Sequence, residues 1–169
     1  MLVEQPLLPC DEPLSAAAAE FIAAGRARFK SVDCFDFVPS DYELVWRLLA
    51  GLPRGRFCEW GSGWGIVTGL AEMLGFEACG IELDATLAAA SRKLLADFGL
   101  SSPILTGDYL ATPCEADIYF VYCWPGKFVP TEEHFEQTAP PAARLLIACG
   151  QSDIRCRMRV SEDVGTLLS

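Results

Sequence analysis

The sequence predicts an α/β fold: a doubly wound, mostly parallel sheet with an antiparallel strand at its C-terminal edge. Three observations carry this. Short apolar runs at 56–60, 77–83, 102–107, 116–124 and 143–150 are interleaved with helical stretches, the pattern of parallel β-α-β units with right-handed crossovers. "ADIYFVYCW" (116–124) is almost continuously apolar, as a strand buried on both faces must be. In "SDIRCRMRV" (152–160), Ile154, Cys156, Met158 and Val160 alternate with Arg155, Arg157 and Arg159, the period of a half-buried strand. Only "GQS" separates it from the strand before. That is too short for a parallel crossover, so it must fold back antiparallel. Its arginines read either as a binding stripe or, more commonly, as solvated charge blunting a sheet edge.

In chain order, residues 1–13 read as an irregular arm and the alanine-rich stretch 14–30 as a helix, broken by "SVDCFDFVP" (31–39). In "SDYELVWRLLAG", Ser40 and Glu43 have capping-box spacing, each satisfying an orphan backbone N–H. The helix should run from Asp41 to Ala50 and stop at Gly51 and Pro53. Strand 56–60, helix 65–74, strand 77–83 and helix 85–99 follow, then strands 102–107 and 116–124, helix 131–139 and strands 143–150 and 152–160. The chain reads as one globular domain, with an N-terminal arm and helix at 1–35 and the principal unit at 36–169.

Composition narrows the partners. Of 169 residues, 51% are hydrophobic, and 13 Lys and Arg against 23 Asp and Glu leave a net charge of −10. A phosphate backbone calls for clustered cations, so a nucleic-acid partner is not expected, whereas a cationic ligand fits. No stretch of 18 apolar residues predicts a membrane span. "MLVEQPLLPCDEP" lacks the basic start and long apolar stretch of a signal peptide, which points to a cytoplasmic protein. The eight cysteines form no C-x-x-C, and His134 is the one histidine, so no metal site is expected. Cys58, Cys79, Cys123 and Cys149 lie in or beside apolar runs and read as small buried hydrophobes rather than disulfide partners.

The sharpest local signal is "FCEWGSGWGIVTGLAEMLG" (57–75), with Gly61, Gly63 and Gly65 between a strand and a helix. Glycine permits positive φ and lets a ligand lie against bare backbone, and open α/β sheets bind ligands beyond the carboxyl ends of their strands. The dinucleotide fingerprint needs a third glycine where Ile66 stands. Glu59 would repel pyrophosphate and attract an ammonium group. No G-x-x-x-x-G-K-[ST] loop is present.

The pattern Glu59-x-Gly61-x-Gly63-x-Gly65 resembles the S-adenosylmethionine loop of Rossmann-like, class I methyltransferases. The likeness covers roughly residues 36–150. It implies that Glu59 serves the ammonium end of the methionine moiety, and that Gly61, Ser62, Gly63 and Gly65 place backbone along the cofactor. Glu82, at the end of the second strand, would hold both ribose hydroxyls, since a carboxylate can accept two such bonds. Asp108, with Tyr109 beside it in "TGDYL", would accept the adenine amino group. Taken singly, the loop could be a tight turn, Glu82 a helix-start residue and Asp108 a turn cap. Trp60 and Trp64 either wall the pocket or pack on the sheet.

A narrower likeness is to small protein-lysine N-methyltransferases acting on mitochondrial membrane proteins. Their F-V-P-[ST] segment matches "FVPSDYELVWRLL", so that Phe37, Val38, Pro39 and Ser40 would cover the methionine end, with Ser40 also starting a helix. The family's fold has seven strands, and one short strand follows residue 150 here. The last α-β unit is therefore expected to be cut down, with a partner, a homodimer or the N-terminal arm serving as substrate lid.

At the end of the fourth strand, nucleobase-methylating relatives carry N-P-P-[YFW], where this chain reads "YCWP" from Tyr122. The missing asparagine favours other amines, such as protein lysine. Tyr122 and Trp124 are the candidate catalytic residues, orienting an amine or holding a cation over a ring; they could equally close the core and loop. Glu132, Glu133 and His134 are near in sequence but fit a solvated helix start. Two further readings stay open: aminopropyl transfer, which usually needs another acid at that strand end, and a non-catalytic cofactor-binding or partner protein.

Overall fold

The computed structural model describes residues 1–32, 37–124, 126–150 and 152–161. The expected boundary between residues 35 and 36 lies outside them. The elements are β1 (Leu2–Gln5), α1 (Ala16–Arg28), α2 (Tyr42–Ala50), β2 (Arg56–Trp60), α3 (Ile66–Met73), β3 (Glu77–Glu82), α4 (Ala85–Asp97), β4 (Ile104–Thr106), β5 (Ile118–Tyr122), α5 (Phe128–Thr138), β6 (Arg144–Ala148) and β7 (Ile154–Arg159). They build one seven-stranded sheet in the order β1-β7-β6-β5-β2-β3-β4. The five strands from β2 to β6 run parallel. β7 returns antiparallel to β6, as the short connection requires.

The expected irregular arm at 1–13 is corrected at Leu2–Gln5, which pairs antiparallel with β7 from Leu2↔Arg159 to Gln5↔Cys156. The seventh strand thus comes from the N-terminal segment, and it covers backbone groups that β7 would otherwise expose. Of the arginine row, Arg155 stays exposed as expected, whereas Arg157 and Arg159 are half-buried. Arg157 Nε donates to Glu132 Oε1 at 2.6 Å, and its guanidinium pairs with Glu4 at 3.0 Å. Arg155 pairs with Asp153 at 3.1 Å.

Helix ends follow local chemistry. α2 is capped by Asp41, whose Oδ1 accepts from Leu44 N–H at 3.1 Å, and not by Ser40 as the spacing suggested. The carboxylate one residue later reaches the orphan donors, and Ser40 is left buried beside the cavity described below. α5 begins at Phe128, before the expected start at 131. Pro130 lies in its first turn, where no N–H is needed.

Side chains alternate across the sheet into two cores. Phe57, Phe120 and Leu146 face α1, α2, α3 and α4, while Cys58, Trp60, Tyr119 and Leu145 face Phe135 of α5 and the loop after β4. The first core is closed where a side chain of α1 lies against the bare backbone of α3. A Cβ on Gly69 of α3 would lie 2.5 Å from two ring carbons of Phe21 on α1, a side chain with no exposure. Gly69→Ala is therefore expected to destabilise the fold by about 1–3 kcal/mol, lowering Tm by roughly 2–4 °C per kcal/mol. An unchanged melting curve would show that α1 yields freely at this contact.

Candidate functional site

Strand order reverses between β2 and β5: the chain proceeds through β3 and β4 on one side and through β6 on the other. Crevices open at such switch points, beyond the carboxyl ends of the strands. A cavity of about 290 Å³ lies there, walled by the ends of β2, β3 and β5, by the glycine loop, and by Phe37, Val38 and Ser40.

The loop between β2 and α3 is held from both sides. Ser62 N–H donates to Ile81 O at 2.9 Å and Gly65 N–H to Ser62 O at 2.7 Å. Gly61, Gly63 and Gly65 all have positive φ, near +70°, +54° and +69°, where L side chains are strained. Their surroundings differ. A Cβ on Gly61 would meet nothing within 4 Å, whereas one on Gly63 would lie 2.7 Å from the Phe37 ring. Gly61 thus presents open backbone, and Gly63 is roofed by the segment the sequence placed over the site. Ser62 Oγ is buried with no hydrogen-bond partner among the described residues, and Ser62 lines the cavity.

Two buried carboxylates face this space. Glu82 Oε2 accepts from Gly63 N–H at 2.7 Å, and Oε1 accepts from Asp84 N–H at 2.9 Å. Glu82 therefore shapes the loop, and each oxygen keeps a lone pair for a further donor. Glu59 Oε2 accepts from both the N–H and the hydroxyl of Thr68, at 2.8 and 2.6 Å. Burial nevertheless pushes the Glu59 carboxyl up to about 8; the Thr68 bonds oppose the shift, and the neighbouring Glu82 charge adds to it. A group in this state ionises when a cation arrives. Burial, helped by the Glu59 charge, also raises the Tyr42 phenol, which lines the same cavity.

Of the residues singled out from sequence, Phe37, Val38, Glu59, Gly61, Ser62, Gly63, Glu82, Tyr109, Tyr122 and Trp124 line the cavity. Pro39, Gly65 and Asp108 are not among its walls. Gly65 precedes α3 and packs toward Ile104 and Ser91. Asp108 is exposed, and its Oδ1 accepts from Leu110 N–H at 2.9 Å, the turn-capping alternative. Trp60 walls the cavity while stacking on Tyr109 at 5.0 Å between ring centroids; Trp64 is buried in the first core. Tyr122 and Trp124 meet edge to face at 6.3 Å, with Trp124 45% exposed. Glu132 is engaged with Arg157, and His134 packs on Trp60 at 5.1 Å.

Sequence reasoning missed Tyr42, Leu83, Lys127 and Thr131, which also line the cavity. Leu83 had a visible signal: it is an apolar residue directly after the strand-end acid, and it is 71% exposed. Thr131 Oγ donates to Lys127 O at 2.8 Å, a turn of α5 that the later expected helix start concealed. No helix among the described residues is long and apolar enough to cross a membrane.

No family model and no curated protein matches the chain. Solved structures do. An RNA methyltransferase from Salinibacter ruber, in complex with S-adenosyl-L-homocysteine, superposes with a TM-score of 0.63 at 19% identity, over 78% of this chain and 99% of that one. A Podospora anserina methyltransferase bound to the same molecule gives 0.64 at 16% identity, over 80% and 63%. An O-methyltransferase from Bacillus cereus, also in that complex, gives 0.60 at 15% identity, over 80% and 66%. The chain thus spans nearly all of the first protein and less than two thirds of the second. At these identities the likeness is one of architecture, and the chain has the Rossmann-like methyltransferase fold.

Proposed function

We propose that this chain is an S-adenosylmethionine-dependent methyltransferase whose acceptor is an amine, protein lysine being the first class to test. The observation that carries the reading is the pair of buried carboxylates at neighbouring strand ends, joined through the glycine loop. Glu82 offers free lone pairs to a diol while its other bonds hold Gly63 and Asp84. Glu59 offers a carboxyl that gains from a nearby cation. Both needs are met by one molecule carrying a ribose and an amino-acid ammonium. Open backbone at Gly61 and the Ser62 hydroxyl, without a partner among the described residues, fit the same ligand.

Bound there, S-adenosylmethionine supplies an electrophilic methyl on a sulfonium. The protein's part is mostly positioning and exclusion of water. Phe37 and Val38 close one side, and Leu83 offers an apolar surface to a flat base. Tyr122 and Trp124, at the end of β5, are the proposed acceptor contacts: an edge-to-face pair suited to an amine that must arrive without its water. Asp108 holds a turn in this arrangement and does not enter the proposed cofactor shell.

Methyltransferases of this fold include an enzyme of RNA, so architecture alone does not separate acceptors. The net charge of −10 favours a cationic one. Calorimetric titration with S-adenosylmethionine, S-adenosylhomocysteine and NAD is the first test, followed by S-adenosylhomocysteine release against protein and RNA pools. Binding of both adenosyl ligands but not NAD, with turnover on protein, is expected. No binding of either would sink the reading. Turnover on RNA alone would move the acceptor to nucleic acid, and binding without turnover on any pool would favour a non-catalytic cofactor-binding protein.

A further inference from the structure

The cysteines that sequence spacing set apart do not stay apart. The β2/β3 register places Cys58 directly beside Cys79. The loop between β4 and β5 brings Cys114 over them. The three Sγ atoms lie within 4.8 Å of one another, and Cys79 Sγ is 3.1 Å from Cys114 Sγ. The seven described cysteines are thiols. This cluster sits on the opposite sheet face from Glu59, in the core that α5 and the loop after β4 cover.

We propose that Cys58, Cys79 and Cys114 form a three-sulfur site for a soft metal ion, monovalent copper rather than zinc. Three sulfurs each about 2.3 Å from one metal sit roughly 3.8–4.0 Å apart; the 4.8 Å bound on the present cluster spans that spacing, and the Cys79–Cys114 pair at 3.1 Å must open to reach it. Among the described residues the cluster holds no fourth histidine, cysteine or carboxylate donor. Structural zinc takes four ligands. Thiolates also select copper in its soft, monovalent state, which accepts three.

The site is braced. Tyr119, itself buried, donates its hydroxyl proton to Cys114 O at 2.8 Å and accepts from Ala116 N–H at 2.9 Å. Cys58 is wholly buried, whereas Cys114 lines a second cavity of about 450 Å³ that gives an ion access. Metal binding releases thiol protons to solvent and ties β2, β3 and the loop carrying Tyr109 together. One helix covers this face where four cover the other, so a metal clasp would stand where packing is thinnest. The proposal is independent of the methyltransferase reading, since none of the three thiols lines the first cavity.

The test uses the whole chain, fully reduced and kept from oxygen. Copper(I) is titrated in competition with a chromogenic chelator, and zinc is titrated separately. A single equivalent of copper should be retained, with near-ultraviolet thiolate-to-copper absorption and a raised Tm. Cys114→Ser, in the loop, should lose that endpoint and the absorption while keeping the melting temperature of the metal-free protein; Cys79→Ser should do the same. Cys123→Ser should retain copper. Failure of the reduced wild type to hold copper would overturn the site, as would retention unchanged in Cys114→Ser. Tighter, stoichiometric zinc binding would overturn the copper assignment. A Cys79–Cys114 disulfide in protein isolated without reductant, with no copper held once it is reduced, would replace the metal site with a covalent bridge.

Discussion

Glu82→Ala is expected to weaken S-adenosylhomocysteine binding roughly ten- to a hundredfold. Hydrogen bonds to a charged group contribute about 1.5–3 kcal/mol, and 1.4 kcal/mol is a factor of ten. Two losses converge in this variant: the proposed ribose acceptor disappears, and Gly63 N–H and Asp84 N–H lose the oxygens they now use at 2.7 and 2.9 Å. Glu82→Gln separates them. Its single carbonyl oxygen can keep one backbone bond but not the paired acceptance, so it should recover part of the melting temperature and little of the affinity. If Glu82→Ala lowers Tm but leaves affinity untouched, Glu82 is a loop tie and the ribose assignment is wrong.

The second large effect concerns pH. In the ligand-free fold Glu59 holds its proton up to about pH 8, because burial outweighs the Thr68 hydrogen bonds. A ligand ammonium favours the carboxylate. Binding near neutral pH should therefore release a proton, and affinity should rise with pH toward 8, by up to about tenfold per unit. Titrations in buffers of different ionisation enthalpy count that proton. Stability runs the other way. The unfolded carboxyl has its ordinary value of 4.5. Between 4.5 and about 8 the folded state thus binds more protons than the unfolded one, and the contribution present below 4.5 is lost as pH rises. Glu59→Gln should flatten both profiles: it melts higher than wild type above pH 8 and binds the cofactor weakly at every pH. A wild-type affinity independent of pH would remove Glu59 from the ammonium contact.

The legible parts of this fold were those written in local pattern. β5 announced its two-sided burial in five consecutive apolar and aromatic residues. The glycine turn revealed both its strand and its helix, and the strand-end positions of Glu59 and Glu82 followed from those boundaries. The illegible parts depend on pairing at a distance. β1 is four residues with two polar ones; nothing within it says that β7 will need an outer neighbour. Asp108 and Glu82 look alike in sequence, and only the path of the loop after β4 decides that one caps a turn while the other faces the cavity. The thiols were hidden for the same reason: Cys58 and Cys79 are neighbours across a strand register, and Cys114 joins them by a loop whose course no spacing rule encodes.

The outer strand has a consequence for how the chain is assembled. Leu2–Gln5 leaves the ribosome ahead of nearly everything else described, yet its partner is Ile154–Arg159. Contacts so distant in sequence are slow to form, so β1 must wait through synthesis with no strand to pair with. The central parallel strands and their helices can collapse in that interval, and docking of β1 onto β7 becomes the closing event of folding. Hydrogen exchange pulsed during refolding should find Leu2–Gln5 acquiring protection last, together with the β7 amides that face it, after the β7 amides bonded to β6. A bulky fusion ahead of residue 1 would then act on that final step more than on the cavity on the far side of β5.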